Sequence, residues 1–263
     1  MATIFITGSA DGLGQMAARL LIAQGHRVVL HARNAKRAQD AMAGAPGAHF
    51  AIVGDLSRID GMRAVAQQAN ALGEFDAVIH NAAVGFREPK RIVTVDGLPH
   101  VFAINTLAPY VLTALMHRPK RLVYVSSGLH RLGDASLRDL TWIGRAWDGT
   151  QAYSDSKLHD ALLAFAVARH WPEVLSNALE PGWVATKMGG ADAPDDIRAA
   201  PKTQVWLAVS EDAAAKVTGA YFYHQQQRVV SASARDPSVQ EKLLAECGRL
   251  SGVSFPLSIP RPP

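Results

Sequence analysis

A single cysteine, Cys247, among 263 residues excludes an internal disulfide and any metal centre built from several thiolates. It fits a reducing compartment. Ten histidines are present, but no HExxH or comparable ligand spacing accompanies them, so no metal site is expected. No apolar run reaches the roughly 18 residues that a membrane-spanning helix needs. The opening "MATIFITGSADGLG" lacks the basic, apolar and small-residue parts of a secretory leader, and the expectation is a cytoplasmic protein. Long runs of one charge are missing too. The net charge is +4, and the basic stretches near Lys36, Arg91 and Arg118 are short. Without an extended basic patch, a nucleic-acid partner is not expected.

What is present is an alternation. Apolar residues make up 48% of the chain, and its length suits one α/β domain over 1–263. Strand-like runs begin at Thr3 ("TIFIT"), Arg27 ("RVVLHA"), Ala48 ("AHFAIVGD"), Phe75 ("FDAVIHNAA"), Arg121 ("RLVYVSS"), Ser176 ("SNALEPG") and Gly219 ("GAYFYH"). Helical patterns lie between them. This predicts a Rossmann-type doubly wound parallel sheet of about seven strands with helices on both faces. In the first helix Leu13, Met16, Ala17, Leu20 and Leu21 form an i, i+3, i+4, i+7, i+8 stripe, and Gly25 is a C-terminal stop. The segment from Gly189, "GGADAPDDIRAAP", reads as a loop. The tail from Ser254, "SFPLSIPRPP", reads as extended and superficial.

Two motifs carry chemistry. "TGSADGLG" sets Gly8, Gly12 and Gly14 between the first strand and the first helix. Glycines there permit a tight turn and close approach of a pyrophosphate to the helix N-terminus. "AYSDSKLHD" puts Tyr153 and Lys157 four apart on a helical pattern. A free phenol is too weak an acid to act as a base at neutral pH, and an ammonium one turn away stabilises its phenolate. After the second strand stands "LHARNAKR". No carboxylate is there to accept from a ribose, and Arg33 and Asn34, with Lys36 and Arg37 nearby, suit a 2′-phosphate. NADP(H) is therefore expected, with NAD(H) use left open.

These motifs, with "GDL" at Gly54–Leu56, "HNAA" at His80–Ala83, "AINTLAPY", "VYVSSGLH" and "EPGWVATKM", resemble the short-chain dehydrogenase/reductase family in order and placement. The resemblance implies a catalytic set of Asn105, Ser127, Tyr153 and Lys157. Tyr153 would be the general acid/base, Lys157 would also hold the cofactor ribose, Ser127 would donate to the substrate oxygen, and Asn105 would hold a relay water. Strand alternation then sends Ser126 into helix packing. The resemblance further implies a cofactor site of Gly8, Ser9, Asp11, Gly12, Leu13, Gly14, Arg33, Asn34, Asp55, Leu56, Asn81, Ala82, Ala83, Tyr153, Lys157, Pro181, Gly182, Val184 and Thr186. Asp55 would meet the adenine and Thr186 the nicotinamide carboxamide. The chain departs from the family at His80 and Ala83, where NNAG is usual, and in the insert "LHRLGDASLRDLTWIGRAWDGTQ" between Ser127 and Tyr153. The insert resembles the branch of retinol dehydrogenases and protochlorophyllide reductases.

The implied activity is interconversion of a small-molecule carbonyl and an alcohol. A non-catalytic NADP(H) sensor on the same fold would more typically lack the tyrosine or the lysine, and a sugar-nucleotide epimerase would need a larger region after the PG segment. Trp183 is the best candidate to line a substrate pocket, whereas Trp142 and Trp147 read as packing residues. The loop 187–200 is a candidate lid. His80, His130 and His159 read as packing or surface residues. "NTLAPYVLTALM" and "LLAFAVARHW" suit either core burial or a homodimer or homotetramer interface.

Overall fold

The structure is a computed structural model and describes residues 1–86 and 88–257. Its strands are β1 (Thr3–Ile6), β2 (Arg27–Ala32), β3 (Phe50–Val53), β4 (Ala77–His80), β5 (Arg121–Val125), β6 (Leu175–Glu180), β7 (Tyr221–Tyr223) and β8 (Gln226–Gln227). They form one sheet in the order β3-β2-β1-β4-β5-β6-β7-β8. Each neighbouring pair from β3 to β7 is parallel, and β8 returns antiparallel to β7. The seven expected strands thus gain an eighth. His224 (φ 49°) and Gln225 (φ 62°) make the tight turn into it, a two-residue hairpin loop with both residues left-handed.

The helices are α1 (Gly12–Ala23), α2 (Ala35–Gly44), α3 (Ile59–Ala71), α4 (His100–Phe102), α5 (Ala108–Leu115), α6 (Gly149–His170), α7 (Lys202–Val209) and α8 (Pro237–Ser251). A π turn over Ala103–Leu107 joins α4 to α5, and a 3-10 turn over Gly128–Leu132 follows β5. Because side chains alternate along a strand, the sheet feeds two cores. Phe5, Val29, Val78, Leu122 and Tyr124 pack against α3, α5, α6 and α8. Ile4, Ile6, Val28, Leu30, Ile79 and Val123 pack against α1, α2 and α7. In α1 the buried line is Gly14, Ala17, Ala18 and Leu21, one residue round from the expected stripe. Gly14 leads it because helix and strand approach closely there, which frees Leu13 and Met16 for the cleft described below. Gly25 ends the helix at φ 81° as expected.

Sixteen residues of α6, Ala152 through Val167, are buried; the stretch from Ala161 to Val167 is apolar all round, as a buried helix requires, whereas the turns before it carry buried polar and charged side chains. α8 packs against both α5 and α6, and the apolar side chains of the two candidate interface stretches, Leu107, Val111, Leu112, Leu162, Leu163 and Phe165 among them, are buried in the core. Cys247 of α8 is fully buried, and burial pushes its thiol well above the ordinary range. The described part of the tail is extended and is pinned by Phe255, which stacks on Trp171 at 4.9 Å. Residues 258–263 of the expected tail lie outside the described residues. Among the described residues no helix is long and apolar enough to cross a membrane, and no group of three or more His, Cys, Asp or Glu could hold a metal ion.

Candidate active site

The sheet order reverses direction between β1 and β4, and a cleft of about 840 Å³ opens there at the carboxyl ends of the strands, the usual ligand position in doubly wound folds. The turn after β1 lines it with Gly8, Asp11, Gly12 and Leu13. Arg33 follows β2, Asp55 and Leu56 follow β3, and Asn81, Ala82 and Ala83 follow β4. Tyr153 and Lys157 of α6 form the opposite wall, with Pro181 and Thr186 beyond β6.

The glycine-rich turn is tightly built. Gly8 has φ 62° and Gly12 φ 54°, conformations that side-chain-bearing residues rarely adopt. A Cβ on Gly14 would fall 2.4 Å from Asn81 Nδ2 and 2.6 Å from Gly8 O. Asn81 braces the turn by donating Nδ2 to Thr7 O and Gly8 O, at 3.0 and 3.1 Å. Gly8→Ala would put a Cβ 2.6 Å from Ala82 Cα at a left-handed φ. It is expected to lower stability by at least about 2 kcal/mol, read from the denaturant midpoint, and an unchanged midpoint would refute the account of this turn.

Two residues support the turn without a sequence signal. His31, within the apolar run of β2, is 3% exposed. Its Nδ1 accepts from Gly8 N–H at 3.0 Å and its Nε2 donates to Gly54 O at 2.9 Å. Burial lowers its pKa to about 4, which keeps the ring neutral and the acceptor available. Asp11 bridges Arg37 of α2 at 2.7 Å and Lys187 of the loop after β6 at 2.9 Å. Burial pulls the Asp11 carboxyl upward, but the two cations outweigh it and hold the group below its ordinary range. Arg33 is exposed and makes no ion pair among the described residues.

Several expected cofactor residues are not among those lining the cleft. Ser9 is fully buried, donates to Ile6 O and accepts from His31 N–H, so its side chain is internal to the β1–β2 junction. Asn34 caps α2 by accepting from Arg37 N–H. Gly14 is packed away as above. Gly182 has φ 92°, with Asp195 folded against it, and Val184 bridges to Asp195. Ala83, the departure from NNAG, lines the cleft, and next to it Val84 is clamped by Asn105 through N–H to Oδ1 (2.8 Å) and Nδ2 to O (3.0 Å).

The four expected catalytic residues come from three elements. Tyr153 and Lys157 are 7% and 3% exposed, and the ammonium lies 5.6 Å from the phenol ring centre. Burial opposes the Lys157 charge, but Asp160 and Tyr153 outweigh it and hold its pKa above the ordinary lysine value. Asn105 sits in the π turn with its amide turned away from the cleft, donating also to Ser156 Oγ at 3.0 Å. Ser127 caps the 3-10 turn, its hydroxyl accepting from Leu129 N–H at 3.3 Å. It is half-buried and is not among the residues lining the cleft. Ser126, which strand alternation sends into helix packing, does donate to Lys157 O at 2.7 Å, yet it is Ser126 and not Ser127 that lines the cleft.

The remaining expectations resolve as packing. His80 is buried, with Nε2 3.1 Å from Thr113 Oγ1, and burial lowers its pKa to about 3. His130 donates Nδ1–H to Ser127 O at 2.8 Å and accepts from Ser231 N–H. His159 faces Thr106 at 3.0 Å. Trp142 and Trp147 meet edge to face, ring centres 5.1 Å apart, beside Val101 and Ala152. Trp183 is the exception: expected to line a substrate pocket, it is 55% exposed, donates Nε1–H to Gly189 O at 2.9 Å and is not among the residues lining the cleft.

Comparison with known proteins agrees with the architecture. Residues 2–129 match the short chain dehydrogenase family. An uncharacterized oxidoreductase of Emericella nidulans is 45% identical over 260 residues, covering 97% of this chain and 99% of its own. A short-chain dehydrogenase of Gibberella zeae is 40% identical with the same coverage, and human retinol dehydrogenase 13 is 28% identical over 97% of this chain and 86% of its own. The crystal structure of an uncharacterized protein from Mycobacterium paratuberculosis superposes with TM-score 0.84 at 26% identity, covering 98% of this chain and 96% of that one. A blue fluorescent protein from a metagenomic library, in complex with NADPH, gives 0.67 at 25% identity, over 84% and 95%. The chain belongs to the short-chain dehydrogenase/reductase family of oxidoreductases, and its retinol dehydrogenase relatives fit the branch that the insert suggested.

Proposed function

We propose that the protein is an NADP(H)-dependent reductase that interconverts a ketone or aldehyde and an alcohol, with Tyr153 as the general acid/base. The observation that carries this is the sharing of one cleft by the glycine-rich turn and the Tyr153–Lys157 pair. A dinucleotide fits the residues present. Gly12 leaves open backbone at the N-terminus of α1, where a Cβ would meet nothing within 4 Å, so the anion can approach the helix N–H groups. When bound, the nicotinamide supplies or accepts the hydride. The Tyr153 hydroxyl gives its proton to the carbonyl oxygen in reduction and recovers it in oxidation. Lys157 holds the ribose and favours the phenolate. The resemblance assigns Ser127, next in sequence to the cleft-lining Ser126, to steady the substrate oxygen, and Asn105, whose amide clamps the cleft residue Val84, to hold a relay water.

Arg33 supports the choice of NADP(H). Arg37 also lines the cleft but is shared with Asp11 and Asp40, whereas Arg33 is uncommitted. The NADPH complex of a structural neighbour is consistent with this. Arg33→Ala is expected to weaken NADPH about ten- to a hundredfold, the worth of one charge-assisted bond, and to leave NADH nearly unchanged. Equal losses in fluorescence titrations would reject the assignment. The loop beyond β6 contributes Thr186, Lys187, Met188 and Ile197 to the cleft, and Lys187 ties it to the glycine-rich turn, which supports a lid over bound substrate. The enzymatic reading is tested by mixing the protein with NADPH and a panel of ketones and aldehydes and following absorbance. Binding of NADPH without turnover of any carbonyl would favour a sensor.

A further inference from the structure

Tyr153, Lys157 and Asp160 stand at i, i+4 and i+7 of α6, a spacing that stacks them on one helix face. Buried charges persist only when paired, and this face contains such a pair. Lys157 and Asp160 are 3% and 2% exposed, and Nζ donates to Asp160 Oδ2 at 2.8 Å. Nζ also donates to Val125 O at 2.8 Å. An ammonium has three donors, so one remains for the cleft that Lys157 lines.

The groups facing Asp160 leave Lys157 as its counter-ion. On its own helix Tyr153 stands beyond the ammonium. On the sheet, Tyr124 of β5 and Tyr221 of β7 sense the Asp160 charge. The Tyr124 hydroxyl pairs with Thr113 Oγ1 at 2.8 Å, and Tyr221 donates to Ser127 O at 3.1 Å. Among the described residues, Lys157 is the only hydrogen-bond partner of Asp160. Burial raises the Asp160 carboxyl to about 6, against the pull of Lys157.

A lone ammonium beside a phenol stabilises the phenolate by its full charge. With a carboxylate 2.8 Å behind it, the same ammonium acts as one end of a dipole, whose field falls faster with distance. We propose that Asp160 is the positioning residue of the site: it fixes the Lys157 ammonium at the cleft wall and limits how strongly that charge acts on the Tyr153 hydroxyl. The inference rests on the assignment of Tyr153 and Lys157 above and adds a group that the family motifs do not mark in this sequence.

The test is the pH profile of kcat/KM for alcohol oxidation in the parent, Asp160→Asn and Asp160→Ser. Asp155→Asn, which removes a different buried carboxylate of α6, paired with Arg145, controls for lost packing. The Asp160 variants are expected to move the rising limb down by about one pH unit, and Asp155→Asn to leave it in place. A second readout needs no cofactor: the phenolate absorbance that disappears in Tyr153→Phe should develop at lower pH in Asp160→Asn than in the parent. Profiles that superimpose in folded Asp160 variants would overturn the inference. So would failure of both variants to fold, which would make the pair purely structural. Full activity of Tyr153→Phe would instead overturn the functional assignment beneath it.

Discussion

Tyr153→Phe is expected to bind NADPH as the parent does and to lose carbonyl turnover by about 10²- to 10⁴-fold, the usual worth of a positioned proton donor. The substitution is close to isosteric. The Tyr153 ring is 7% exposed and packs edge-on against Phe86 at 5.8 Å, and a phenyl ring keeps that contact. Only the hydroxyl is lost, at a position where Lys157 sits one helical turn away. Fluorescence titration reads binding, and NADPH absorbance reads turnover. A variant that turns over carbonyls at the parent rate would remove Tyr153 from the chemistry. A variant that no longer binds NADPH would show that the hydroxyl supports the cofactor and would leave the proton donor unidentified.

The second large effect is a loss of stability in acid. His31, His80 and His159 are buried and have folded pKa values lowered by desolvation to about 4, 3 and 4, against about 6.5 in an unfolded chain. The stability that these neutral rings contribute is fully present above pH 6.5 and is lost as pH falls through the window from 6.5 to about 4. Each histidine takes up one proton on unfolding there, a slope of about 1.4 kcal/mol per pH unit. Asp160 acts oppositely. Its folded pKa is raised to about 6 by burial, so between 6 and its unfolded value the native state holds the extra proton, which offsets about one histidine. The remaining slope is about 3 kcal/mol per pH unit, enough to exhaust the 5–15 kcal/mol of an ordinary domain within a few pH units. Denaturant midpoints at pH 7, 6, 5 and 4.5 measure it, and a flat series would mean that the buried rings are not what limits acid tolerance.

How much of this was legible beforehand differs by element. The parallel strands are short apolar runs bounded by turn residues, and buried strands look like that whatever their neighbours. The glycine-rich turn was legible because glycine adopts the left-handed backbone of Gly8 and Gly12 without strain. Tyr153 and Lys157 were legible because α6 gives them a common face. Strand β8 was not, because its turn uses His224 and Gln225 where Asn-Gly is the usual signal. His31 was hidden because its neighbours Val29, Leu30 and Ala32 read as apolar strand, and its bonds to Gly8 and Gly54 depend on sheet order. The π turn around Asn105 has no composition signal, since "AINTL" reads as plain helix. Asp160 carried a visible i+3 spacing from Lys157, but the burial that gives the pair its meaning comes from the sheet and α8 packing over α6. Ser9 shows the converse: it belongs to the motif, yet its side chain is turned inside.

The lone cysteine offers a practical consequence. Cys247 lies fully enclosed on α8, and a shielded thiol with an elevated pKa hardly reacts with electrophiles. Alkylation of the native chain therefore proceeds only as fast as α8 detaches from the body, so labelling kinetics become a clock for that opening. The same silence gives a blank background: a thiol engineered onto the Lys187 loop could carry a fluorophore and report its movements without a competing label.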